Sequence, residues 1–111
     1  VKIPVILFSK GANHSLSHIA ATGADGIGLD WTINIADASA IVGTDVAVQG
    51  NLDPSVLYSS PEVVRAEVKK ILQDYPHDSG HVFNLGHGIH PGIDPENVKA
   101  LVDAVHEFSQ R

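Results

Sequence analysis

One histidine stands between two glycines at the end of an apolar run, in Asn84-Leu85-Gly86-His87-Gly88-Ile89. Imidazole changes charge near neutral pH, so His87 can hydrogen-bond a carboxylate or move a proton. Flanking glycines let the backbone approach a bound molecule. The same residues also fit a plain turn whose histidine has no role. His90, close behind, reads as loop surface.

Other residues invite chemistry and also admit plainer readings. His14 and His18 lie four apart, a spacing that can put two imidazoles on one metal. Only Ser15-Leu16-Ser17 lies between them, with no third ligand in view, so surface or capping histidines are the favoured reading. Asp30 and Asp53 resemble a carboxylate pair for acid–base work. Asp53 precedes Pro54, which suits a turn cap. Asp30 adjoins Trp31, and stands open between a titrating and a structural role. Gln49-Gly50-Asn51-Leu52-Asp53-Pro54 is a polar turn whose amides can bind a ligand or brace neighbouring loops, the latter slightly favoured. Gly86-His87-Gly88 is not G-x-G-x-x-G, and no G-K-[ST] occurs, so a nucleotide loop is disfavoured.

The elements that must hold these residues alternate. A strand is expected over Pro4–Ser9, unbroken by polar residues, as in a parallel strand buried on both faces. A short helix follows over about Asn13–Thr22, with Asn13 at its cap and Gly23 ending it. The second strand is Gly26–Leu29, breaking at Asp30-Trp31. A weaker helix spans Ile35–Val42 and stops at Gly43. The third strand is Val46–Gln49. Ser60, Pro61 and Glu62 open a long helix in which Val64, Val68, Ile71, Leu72 and Tyr75 recur at helical spacing. The fourth strand is His81–Leu85. Asp94-Pro95-Glu96 opens the last helix, with Val98, Leu101, Val102, Val105 and Phe108 as its apolar stripe.

Strands separated by helices imply an α/β fold with a parallel sheet and right-handed crossovers. A small doubly wound sheet fits, and so does half of a (β/α)8 barrel, whose whole needs about 250 residues. The strand ends favour the half barrel. Each ends in polar residues or glycine: Ser9-Lys10-Gly11, Asp30-Trp31, Gln49-Gly50-Asn51 and Gly86-His87-Gly88. Barrels place their sites at those ends, whereas a nucleotide-binding sheet concentrates its signal after one strand.

Composition narrows the function classes. The chain has 111 residues, no Cys and a formal charge of −6. Disulfides and thiolate chemistry are excluded, and nucleic acid is disfavoured as a partner. Arg65 and Arg111 are the only arginines, too few to clamp a polyanion. No apolar run reaches the roughly 20 residues of a membrane-spanning helix. The N-terminus does not read as a signal peptide. The lack of Met is what an interior segment would show.

Three stretches, in order and with matching spacing, resemble the uroporphyrinogen decarboxylase family. They are Gly28-Leu29-Asp30-Trp31, then Gln49-Gly50-Asn51-Leu52-Asp53-Pro54, then Asn84-Leu85-Gly86-His87-Gly88-Ile89. Asp94-Pro95-Glu96-Asn97-Val98 and its helix look like the family's closing segment. The resemblance implies that residues 1–111 are the C-terminal half of a single (β/α)8 TIM-barrel domain, four βα units whose N-terminal part is missing. It implies a cytoplasmic, homodimeric carboxy-lyase with no metal or organic cofactor. That enzyme converts the four acetate side chains of uroporphyrinogen III to methyl groups, giving coproporphyrinogen III in haem biosynthesis, with the pyrrole as electron sink.

Of the family's substrate contacts, the late histidine maps onto His87, the catalytic and substrate-binding residue expected here. The Arg pair, the aspartate over the pyrroles, the Tyr and the Ser/Thr belong upstream. Asp30, Tyr58, Tyr75 and Ser9 are not their equivalents. A half barrel without those guanidinium groups would be inactive alone, and would need its missing half or a second copy to cover its open edges. The rival readings are a related barrel methyltransferase and a non-catalytic half-barrel dimerisation module.

Overall fold

The computed structural model describes residues 3–8, 15–77, 80–89 and 91–109. Four strands and four α-helices alternate: β1 (Ile6–Phe8), α1 (Leu16–Ala20), β2 (Gly26–Gly28), α2 (Ile35–Val42), β3 (Ala47–Gln49), α3 (Pro61–Asp74), β4 (His81–Val82) and α4 (Pro95–Phe108). A 3₁₀ turn, Pro54–Tyr58, lies between β3 and α3. The expected order is therefore present, with shorter strands than the apolar runs suggested. Ser9 and Asn13, at the edges of two expected elements, lie outside the described residues.

Capping explains where the helices start. The Ser60 side chain accepts from Val63 N–H, and Asp94 accepts from Glu96 N–H, each ahead of a proline at the first helical position. Asn34 caps α2 in the same way, accepting from Ala36 N–H at 2.7 Å. Asp53 accepts from Ser55 N–H and Oγ and so starts the 3₁₀ turn. The aspartate is thus the turn cap that Pro54 suggested.

The sheet settles the choice of architecture. Its strands run parallel in the spatial order β1-β2-β3-β4, the order of the chain. A doubly wound sheet reverses its strand order at a switch point, and this one does not. With right-handed crossovers, an unreversed order puts every helix on one face. The rows of the register agree. Leu7, Ile27, Val48 and His81 align across the sheet, and Ile27 and Val48 are buried with Leu16, Ile35, Ala38 and Val42 of α1 and α2. Beyond β3 the core continues through Leu52, Leu57, Val64, Val68, Leu72 and Ala104, where α3 packs on α4.

The other face is the one a closed barrel would turn inward. Ile6, Gly26 and Ala47 form one row there, and Phe8, Gly28 and Gln49 the next. Ile6 and Phe8 are about half exposed, as is Val82, whose register partner is Gln49. Burial of the first strand on both faces is therefore not observed: all three β1 residues are exposed. The reason is topological, because β1 is an edge strand of the described sheet and no described helix packs on the inward face.

Candidate functional site at the strand ends

The C-terminal ends of the strands surround a hollow of about 450 Å³ on the inward face. Phe8, Leu29, Leu85 and Ile89 give it apolar walls, while Gln49, Asn84 and His87 give it neutral polar groups. Local sequence shapes its floor. A Cβ on Gly28 would lie 2.8 Å from the Phe8 ring, so glycine there lets that ring lie across β2. Gln49 faces inward because its neighbour Val48 is buried on the helix side. A second concavity, about 280 Å³, lies between the loops after β2 and β3 and helix α3, with Trp31, Asn51, Glu67 and Lys70 in its lining; His87 does not line it.

His87 lines the hollow, exposed, and its ring meets Trp31 edge to face, centroids 6.1 Å apart at 86°. Its neighbour Gly86 is buried against the Asp30–Trp31 main chain. The loops after β2 and β4 thus touch, although β3 lies between their strands.

The loop after β2 is held from inside. Asp30 is 3% exposed, and its Oδ1 accepts from the N–H and the hydroxyl of Thr32. Its carboxylate folds the turn beneath Trp31, the structural one of the two roles that the sequence left open. The Asn51 amide donates to Asp30 O at 3.0 Å and Ile33 O at 2.6 Å. Asn51 therefore braces a neighbouring loop, as the polar turn after β3 suggested, while Gln49 from the same turn faces the hollow. Gly50, at φ +144°, brings its backbone against Leu29 O, where a Cβ would lie 2.9 Å away. Its carbonyl is 2.9 Å from His81 Nε2.

The remaining candidates fall elsewhere. His18 is exposed on α1, and His14 and His90 lie outside the described residues. Among the described residues no group of three or more His, Asp or Glu side chains is placed to hold a metal ion. Arg65 pairs with Glu107 at 2.7 Å and stacks over Phe108, joining α3 to α4 on the surface. Tyr75 is buried against the His81 ring on the helix side, and Tyr58 is exposed in the 3₁₀ turn. Asn97 lies in the closing motif Asp94-Pro95-Glu96-Asn97-Val98. It is buried and donates to Leu57 O and Ser59 O, tying α4 to that turn.

A parallel, unreversed sheet with helices on one face and a hollow at its strand ends defines a segment of a (β/α)8 barrel. The uroporphyrinogen decarboxylase family profile matches residues 1–108, and the chain belongs to that family. Uroporphyrinogen decarboxylase of Thioalkalivibrio sulfidiphilus is 60% identical over 110 residues, 99% of this chain. That of Vesicomyosocius okutanii is 57% identical over 108 residues, 97% of this chain. The chain spans about 31% of the length of each. A methyltransferase from Methanosarcina mazei superposes over 99% of this chain and 33% of its own, with a TM-score of 0.84 and 29% identity. No described helix is long and apolar enough to cross a membrane.

Proposed function

We propose that the whole protein is a uroporphyrinogen decarboxylase, and that this chain supplies the His87 wall of its substrate site. The observation that carries the reading is a coincidence. The family match runs over residues 1–108, and His87, in the loop that follows β4, lines the hollow. The apolar walls suit pyrrole rings, and the His87 imidazole suits a carboxylate on their rim. Decarboxylation breaks the bond from the methylene carbon to the carboxyl carbon. The electron pair passes into a ring-protonated pyrrole as carbon dioxide leaves, a proton added to the exocyclic methylene carbon completes the methyl group, and loss of the proton first taken up by the ring restores the pyrrole. His87 can hydrogen-bond the departing carboxylate or carry one of those protons.

No Lys or Arg is among the described residues that line the hollow, so on this reading the cations for the substrate's carboxylates come from the remainder of the protein. On this reading the enzyme is a cytoplasmic homodimer needing no metal or organic cofactor, and the present chain alone is inactive.

Turnover of uroporphyrinogen by the full-length protein, with product followed by chromatography, tests the proposal. His87→Ala should lower kcat/KM by roughly 10- to 100-fold, the worth of a hydrogen bond to a charged group. Unchanged turnover in that variant would remove His87 from the mechanism. The structural likeness to the Methanosarcina mazei protein favours one second reading, a methyltransferase. Methyl transfer without decarboxylation would select it.

A further inference from the structure

We infer that Trp31 is the positioning residue for His87; this rests on the reading of His87 as a substrate contact. An imidazole between two glycines has little local restraint. On the Gly88 side the loop is open, since a Cβ there would meet nothing within 4 Å. The ring contact that the described residues give His87 is the indole of Trp31, nearly perpendicular at 86° with centroids 6.1 Å apart. Edge-to-face packing at that separation is a favoured aromatic geometry.

The indole is itself presented from a fixed main chain. Thr32 N–H donates to Asp30 Oδ1 at 2.9 Å, closing the turn around Trp31. Asn51 holds the carbonyls of Asp30 and Ile33 on either side of that turn. Gly86 packs on the Trp31 nitrogen, so the backbone carrying His87 is seated on the backbone carrying the indole. A substrate-facing ring on one loop is thereby aligned by a ring on another. The sequence distance between them, 31 to 87, hides this pairing from any local motif.

The test uses full-length Trp31→Leu and Trp31→Phe proteins. The His87 ring-proton resonances, assigned by their loss in His87→Ala, lie in the ring current of the indole. Trp31→Leu should move them toward the values of a free histidine. It should also lower kcat/KM by roughly two- to tenfold, the scale of one aromatic pair, and Trp31→Phe should recover most of that loss. Resonances unmoved in Trp31→Leu, or an equal loss in both variants, would overturn the inference. If His87→Ala leaves turnover unchanged, the substrate role of His87 fails, and the resonances still decide whether Trp31 orients it.

Discussion

Gly86 is packed against the main chain of Trp31: a Cβ built on it would lie 2.5 Å from the Trp31 nitrogen and 2.9 Å from the Asp30 carbonyl carbon. Both neighbours are backbone, and neither can swing aside as the end of a flexible side chain would. Gly86→Ala should therefore push the two loops apart. Overpacking of this kind costs about 1–3 kcal/mol. Urea denaturation of the full-length protein should show a lower midpoint, and turnover should fall with it because His87 is displaced. An unchanged midpoint would mean that the loops separate freely.

Asn51 is 6% exposed and satisfies two carbonyls of the loop after β2. Asn51→Ala leaves both without that donor, at about 1–3 kcal/mol per buried unsatisfied group. Asn51→Asp should be worse, since a carboxylate would face two carbonyl oxygens. Equal denaturation midpoints for Asn51→Ala and wild type would show that water replaces the amide.

Asp30 separates structure from catalysis. Its Oδ1 accepts from Thr32, and an amide oxygen can do the same. Asp30→Asn should keep turnover close to wild type, while Asp30→Ala should lose stability on the order of 1 kcal/mol. Loss of turnover in Asp30→Asn, with its melting temperature intact, would assign the carboxylate a direct part in the reaction.

The inward face gives opposite outcomes in two contexts. Ile6 and Val82 are 47% and 45% exposed in this chain. Ile6→Lys with Val82→Lys should reduce self-association of the isolated 111-residue chain, measured by sedimentation. In the full-length protein the same pair should lower the denaturation midpoint, because a closed barrel buries that face. Improved behaviour in both contexts would argue that the face stays open.

The long helices were the most legible part of the fold. Ser60-Pro61-Glu62 and Asp94-Pro95-Glu96 carry cap, proline and acid in order, and α3 and α4 begin where those residues place them. Strand lengths were less legible. Leu85 was expected inside β4, but the ladder ends at Val82 and resumes as a single bridge from Leu85 to Leu52. Backbone pairing depends on the neighbour's path, which an apolar run does not encode. In the site, His87 and the bracing turn were visible as residue types between a strand and a loop. The Trp31–His87 contact and the amide of Asn97 were not, because each joins segments far apart in the chain.

Each βα unit here touches chiefly the unit before and the unit after it, as the strand order and the α3–α4 packing show. In the isolated 111-residue chain such an array should lose order as a row of tiles does, from its outer strands inward. Its inner strands, β2 and β3, are each paired on both sides, and their amides should be the last to exchange with solvent. Gly86 resting on Trp31 spans two units at once, and so ties the loop after β4 to that interior.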